Sequence, residues 1–225
     1  VGVVKGQTQQ LVAKAMYSDG TSAPVTNSVT WTPVDTNTAT VSPSGLLSGV
    51  EVGSTTLTAT KDGVTSNTVS VTVCKDLAGK CIDIFDAGGG KLFTNSPSVD
   101  YLSSFFSSQP SAFGATYSEN GTYGPSGNFY KFYWNTALCG VYSIQSLGGR
   151  TNWRTATKDE LKMELFDTFG NMFTARGWPT GNAYWSSTPD GSNGSNYYYD
   201  IILYSGVIFS HDAIGKLYMS CVSNP

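Results

Sequence analysis

The chain has 225 residues and a formal net charge of −3, and only 13% of the residues are charged. That is about half the share usual in a soluble domain. The length suits one large or two ordinary domains, the lack of clustered Lys and Arg excludes a nucleic-acid surface, and apolar runs of only a few residues exclude a membrane-spanning helix.

The first 73 residues hold only two aromatics, Tyr17 and Trp31, and no Cys. They are rich in Thr, Val and Ser. Turn signals recur at Ser18-Asp19-Gly20, Ser42-Pro43-Ser44-Gly45, Gly53-Ser54 and Lys61-Asp62-Gly63. Between them run alternating segments: Leu11 to Tyr17, Thr55 to Thr60, and Thr68 to Val73. Alternation with β-branched residues predicts half-buried strands. Six or seven of them at this spacing predict a two-sheet sandwich, with Trp31 as a plug between the sheets. The ordered set Tyr17-Ser18-Asp19-Gly20-Thr21, Val29-Thr30-Trp31, Ala39-Thr40-Val41-Ser42, Gly45-Leu46 and Gly53 to Thr60 resembles the bacterial immunoglobulin-like repeat of surface adhesins. The resemblance implies a stalk or spacer without catalysis of its own.

From residue 74 onward the chemistry changes. Here lie the other 27 aromatics and all four Cys: Cys74, Cys81, Cys139 and Cys221. No C-x-x-C occurs and His211 is the only His, so a zinc cage is not expected. Four Cys allow three connectivities. Cys74 with Cys81 would staple a six-residue loop, and Cys139 with Cys221 would close a long one; four buried thiols are the alternative. The junction Val73-Cys74-Lys75-Asp76 carries no Gly/Ser/Pro linker and is expected to be stiff.

Three helices are predicted in this part. Tyr101/Phe105 and Leu102/Phe106 pair at i, i+4 in the first, opening at Ser98. The second starts at Asn135 as a cap and runs through Leu138, Cys139 and Tyr142. The third follows GRTNWRTATKDEL, residues 149–161. Its last four letters match a retention address, but 64 residues follow them, and that address is read only at a free C-terminus. Thr157 and Glu160 instead have the spacing of a capping box. Leu161, Leu165 and Phe169 then form a stripe, and Gly170 closes a helix over roughly 158–169.

From Ala183 the pattern turns to strands: Tyr184 to Ser187, Tyr197 to Tyr204, Val207 to Phe209 and Leu217 to Val222. Turns at Pro189-Asp190-Gly191 and Tyr204-Ser205-Gly206 separate them. Helices followed by an antiparallel meander read as α+β. A Cys139–Cys221 bridge would tie the two layers together. Within Tyr197 to Tyr204, Ile201/Leu203 and Ile202/Tyr204 are both apolar enough to face the core.

Trp153 to Leu161, Tyr184-Trp185-Ser186-Ser187-Thr188 and Ser220-Cys221-Val222 resemble the bacterial branch of the C-type-lectin-like fold. The resemblance covers roughly residues 74–225. The expected architecture is therefore multidomain: an all-β immunoglobulin-like sandwich over 1–73, then an α+β C-type-lectin-like domain over 74–225. That order is similar to the distal tip of the invasin/intimin adhesins. It implies a non-enzymatic tip on the bacterial cell surface, attached to the membrane only through a β-barrel anchor absent from this sequence. The implied partner is a host cell-surface or extracellular protein of the integrin, delivered-receptor, matrix or immunoglobulin class. Glycan binding without calcium and self-association are the alternatives. By its own plan VGVVKGQTQQ is no signal peptide, so the chain is expected to be either cytosolic or a mature or excised piece of an exported protein.

Ser210-His211-Asp212 alternate faces on a strand and form no triad, so His211 is expected on an exposed loop. Gly88-Gly89-Gly90-Lys91 lacks the spacing of a phosphate loop. Sugar-binding members of the lectin-like family coordinate calcium through E-P-N or Q-P-D and W-N-D motifs. Gln109-Pro110-Ser111 and Trp134-Asn135-Thr136 match neither, so no metal and no cofactor are expected. The candidate partner-binding residues are Arg176, Trp178, Asn182 and Tyr184, where bulky anchors sit among Gly and Pro, then Asp190, Asn193 and Tyr197. Arg, Trp and Tyr are enriched in binding hot spots because they present rigid surface with a polar handle.

Overall fold

In the computed structural model, which describes residues 1–104 and 114–225, the chain divides into two units, Val1–Lys75 and Asp76–Pro225. The first is all β. Its strands are β1 (Gly2–Val4), β2 (Thr8–Gln10), β3 (Lys14–Met16), β4 (Ser22–Pro24), β5 (Thr30–Pro33), β6 (Ala39–Val41), β7 (Leu46–Gly49), β8 (Gly53–Lys61), β9 (Val64–Thr65) and β10 (Val69–Cys74). One sheet runs β1-β10-β8-β5 with β9 paired to β8, and a second runs β2-β7-β6. The Thr/apolar alternation decides which side of each strand is buried. Leu57 and Ala59 of β8, and Val71 and Val73 of β10, point inward with Val3, Leu11, Ala39 and Leu47, while the intervening Thr and Ser stay outside.

Two local expectations change. Trp31 is not a central plug. It lies on β5, at the end of its sheet, half-buried against the core, with its indole donating to the Thr26 carbonyl at 3.3 Å. The run Leu11–Tyr17 is a strand only at β3, which pairs with β4 in a separate hairpin. Asp19 accepts from the Thr21 amide and hydroxyl and closes its turn. Gly45 shows why its turn needs glycine: φ is +81°, and a Cβ there would sit 2.7 Å from the Thr26 methyl.

The second unit is mixed. Its strands are β11 (Ile84–Asp86), β12 (Leu92–Thr94), β13 (Ala115–Glu119), β14 (Gly127–Lys131), β15 (Arg154–Thr155), β16 (Tyr184–Pro189), β17 (Tyr197–Ile201), β18 (Ile208–Asp212), β19 (Tyr218–Met219) and β20 (Cys221–Ser223). They form sheets of order β11-β12-β20-β15 and β18-β17-β16-β19, and a β13-β14 hairpin. Helices and strands are less segregated than the meander expectation. Strand β20 returns to lie between β12 and β15, and β19 runs parallel to β16. Such pairings join residues far apart in sequence, so no local pattern announces them.

The first helix, Val99–Ser103, is capped by Ser98, whose hydroxyl accepts from the Tyr101 amide at 3.0 Å. Phe105 and Phe106, expected to continue it, and Gln109-Pro110-Ser111 lie outside the described residues. The second helix, Leu138–Ile144, starts at Ala137 with no side-chain cap, so Asn135 is not its cap. Cys139 on this helix is bonded to Cys221 on β20, joining helix and sheet as expected. Cys74 and Cys81 are also disulfide-bonded, and no cysteine is free.

The third helix starts as the sequence predicts. The Glu160 amide donates to the Thr157 hydroxyl at 3.2 Å, and the Thr157 amide donates to the Glu160 carboxylate at 2.8 Å, a reciprocal capping box. Leu161 and Leu165 are buried, and Gly170 ends the helix at φ +74°. The winding was not predicted: Glu160–Phe166 is π-helical, and the Asp167 amide reaches back to the Lys162 carbonyl. Glu160 also holds Arg154 through both oxygens (2.6 and 2.8 Å) and Lys91 at 2.7 Å. Burial alone would raise its pKa, but these hydrogen bonds overcome it and lower the group to about 2. The adjacent acids of KDEL therefore have separate roles. Asp159 is exposed, and Glu160 is a buried ionic hub.

Candidate functional site

The segment expected to present Arg176, Trp178 and Tyr184 to a partner turns inward instead. Helix Met172–Arg176 is capped by Asn171 and ends at Gly177 in the left-handed conformation, which aims the next residues into the unit. Asp83 is buried below them. It accepts from Arg176 Nε at 2.9 Å, from Arg176 Nη2 at 2.5 Å, and from Trp178 Nε1 at 2.8 Å. The Arg176 guanidinium also lies 4.6 Å from the Phe85 ring centroid. Trp178 is 0% exposed. Tyr184 is fully buried too, and its hydroxyl donates to the Pro179 carbonyl at 2.7 Å. These three residues are interior supports rather than anchors for a partner: a rigid ring with one polar atom also suits a core that contains a carboxylate.

Asp190 is likewise withdrawn from the surface. Its Oδ1 accepts from the Ser192 amide and hydroxyl, and its Oδ2 accepts from Asn193 Nδ2 at 2.7 Å. The Ser192 hydroxyl chiefly, with Ser210, holds its carboxyl far below the usual range. Asn193 is exposed, but its amide is spent on Asp190 and on the Ser210 hydroxyl. Tyr197 is half-buried at the start of β17. Of the seven candidates, Asn182 lines a cleft over the last strands of the unit.

That cleft has a volume of about 440 Å³ and opens over the β16-β17-β18 sheet. Its walls include Asn182, Ile202, Tyr204, Phe209 and Leu217, with Asp200 and His211 also in the lining. The end of β17, at Ile201, and the turn after it decide which apolar pair faces inward: Ile201 and Leu203 are fully buried, leaving Ile202 and Tyr204 to the cleft. A tight turn follows, in which the Gly206 amide bonds to the Ile202 carbonyl. Gly206 has φ +72°, and a Cβ there would lie 2.3 Å from the Phe166 ring. At Gly181, which also lines the cleft, buried Glu119 accepts from the Gly181 amide at 2.8 Å and from the Tyr218 hydroxyl at 2.8 Å. A Cβ on Gly181 would strike that carboxylate at 2.5 Å. Glycine there lets the backbone close onto Glu119.

His211 is on strand β18, not on a loop, in register with Tyr198. Its ring is half-exposed, and Nδ1 lies 2.6 Å from Oδ2 of Asp200, which is 0% exposed. Burial raises the Asp200 pKa, and the His211 hydrogen bond opposes that rise. Asp200 Oδ1 has no hydrogen-bond partner among the described residues. Across the same sheet face, Trp134 stacks on Tyr198 at 3.6 Å, and its indole donates to the Ser186 carbonyl. That carbonyl lies at the bulge where β16 breaks register with β17. At the cleft's rim β18 is the end strand of its sheet. There Val207, Ile208 and Phe209 form an exposed apolar run, Phe209 being 48% exposed. The sequence places Tyr204 and Phe209 in strand segments but gives no signal for Asp200. A carboxylate paired across two strands has no signature in either strand alone.

Among the described residues no group of three or more His, Cys, Asp or Glu could hold a metal ion. No helix there is long and apolar enough to cross a membrane.

Among solved structures, the chain is similar to the adhesin InvE of Yersinia pseudotuberculosis. The identity is 15% over 96% of this chain and 60% of that one, with a TM-score of 0.42. It is also similar to an intimin mutant of EHEC O157:H7, at 12% identity over 96% of this chain and 97% of that one, with a TM-score of 0.32. A third similarity is to invasin, a bacterial integrin-binding protein, at 10% identity over 98% of this chain and 34% of that one, with a TM-score of 0.30. Among curated proteins, ice-binding protein 1 of Shewanella frigidimarina is 47% identical over 66 residues, which is 29% of this chain and 7% of that protein. The chain thus spans only a small part of that relative. The family model of the bacterial Ig-like domain (group 2) matches residues 1–73, so the β-sandwich of the first unit is an immunoglobulin-like module that opens a multidomain chain.

Proposed function

We propose that the chain is the distal, non-enzymatic part of a bacterial surface adhesin, and that its second unit binds a host protein. The exposed apolar side chains of Val207 and Phe209, alternate residues where end strand β18 begins beside a cleft, carry this reading. An apolar rim next to a concave polar floor is the form of a protein-recognition patch. It lies in the unit that the immunoglobulin-like match leaves uncovered. Two further features support an extracellular setting: all four cysteines are oxidised, and the sequence resembles the invasin/intimin adhesins in both halves. The second unit is read as C-type-lectin-like on its sequence motifs.

The test is attachment of beads carrying the full chain to host cells, against beads carrying Val207→Ser/Phe209→Ser. Both side chains are exposed, so the double variant keeps its fold. Attachment should fall at least about tenfold, as expected when a hot-spot pair is lost, and should survive deglycosylation of the cells. Attachment unchanged in the double variant sinks the site. Attachment abolished by deglycosylation moves the function to a glycan.

A further inference from the structure

We infer that the cleft between Asn182 and β18 receives a basic side chain, Lys or Arg, presented by the partner. This deepens the adhesin reading and rests on it for the source of that side chain. The argument begins with Asp200. It lines the cleft, it is fully buried, and one of its oxygens has no hydrogen-bond partner among the described residues. Buried polar atoms are nearly always hydrogen-bonded, and a carboxylate accepts only from donors. His211 occupies the other oxygen, at 2.6 Å. One acceptor of the site, at a known atom, is therefore left unsatisfied.

The charge balance narrows the donor. Among the described residues no Lys or Arg lines the cleft, and His211, the one basic group there, carries a charge only when protonated. A buried carboxylate without a permanent cation is costly, and a charge-assisted hydrogen bond is about twice as strong as a neutral one. An ammonium or guanidinium thus gains more here than a hydroxyl does. The walls narrow it further. Ile202, Phe209 and Leu217 offer an apolar sleeve for methylene groups, with Tyr204 beside them. Long basic side chains lie in this way, with an apolar stem in the sleeve and the charge at its end. Asn182 adds a side-chain amide able to accept from a second N–H.

The test titrates the full ¹⁵N-labelled chain with Ac-Gly-Lys-Gly-NH₂, Ac-Gly-Arg-Gly-NH₂, the Nε-acetylated lysine peptide, n-butylammonium and methyl α-glucoside. Saturable amide shifts at Gly181, Asn182, Ile202 and Phe209 are expected with at least one basic peptide and not with its acetylated form. Asp200→Asn should weaken that binding by about tenfold or more, the loss of one charge-assisted bond. If Asp200→Asn fails to fold, the acetylated peptide still decides, because it removes the charge from the ligand instead. Equal shifts from the acetylated peptide, or no saturable shift from either basic peptide, overturn the inference. Shifts from n-butylammonium alone overturn the protein source, and preference for the glucoside overturns the charge argument. Phe209 belongs to both the rim and the cleft, so the two readings are separated by Asp200→Asn and the acetylated peptide, which leave the rim intact. The cleft can fail while the apolar rim still attaches cells, and it can fill while no cell attaches.

Discussion

At the level of single residues, identical side-chain types carry opposite roles according to what lies beneath them. Arg176 and Trp178 have the composition of a binding hot spot, yet both end on buried Asp83. Glu160 is one of two adjacent acids, yet it alone is buried and gathers Arg154 and Lys91. Its pH dependence follows from the sign of its shift. The folded-state pKa of about 2 lies below the ordinary 4.5. The stability that it contributes is complete above about 4.5 and is lost as pH falls from there through about 2. Equilibrium urea unfolding of the wild type should lose on the order of 3 kcal/mol from this group over that window, and Glu160→Gln should lack that component. A variant with the wild-type acid profile would show that the Arg154 and Lys91 contacts contribute nothing to stability.

At the level of elements, the strongest local signals produced what they predict. Thr157 and Glu160 form their reciprocal cap. Gly170 closes the helix, and β8 and β10 bury alternate residues. The π-helical winding of Glu160–Phe166 was not legible, because its apolar spacing also fits an α-helix. Turn glycines are where an element constrains the cleft. Gly206 combines a positive φ with a Phe166 ring in the place a Cβ would take. Gly206→Ala should therefore cost about 2 kcal/mol or more and perturb the amide signals of Ile202 and Tyr204. Thermal unfolding with an NMR fingerprint checks both. An alanine variant of wild-type stability and spectrum would show that the turn relaxes freely and does not shape the cleft wall.

Over the whole molecule, the Cys139–Cys221 bond closes the longest covalent loop, with a sequence separation of 82. It joins a helix to β20, one of the two inner strands of the β11-β12-β20-β15 sheet. Cys139→Ser/Cys221→Ser should destabilise the second unit by about 4 kcal/mol in the chain-entropy account, while the first unit keeps its unfolding transition. Differential scanning calorimetry of the double variant checks this. A loss confined to a few tenths of a kcal/mol would show that the chain ends of this loop are already held by packing in the unfolded ensemble.

The sequence by itself determined the two chemistries of the chain, the alternating strands of the first unit and the capped third helix. All of these rest on residues close in sequence, or on a residue type with one physical role. The tertiary structure alone decided that Arg176, Trp178 and Tyr184 face inward, that Ile202 rather than Ile201 faces the cleft, and that Asp200 meets His211 across two strands. The physical reason is the same in each case. Burial and pairing depend on which distant element covers a side chain, and neither composition nor periodicity records that.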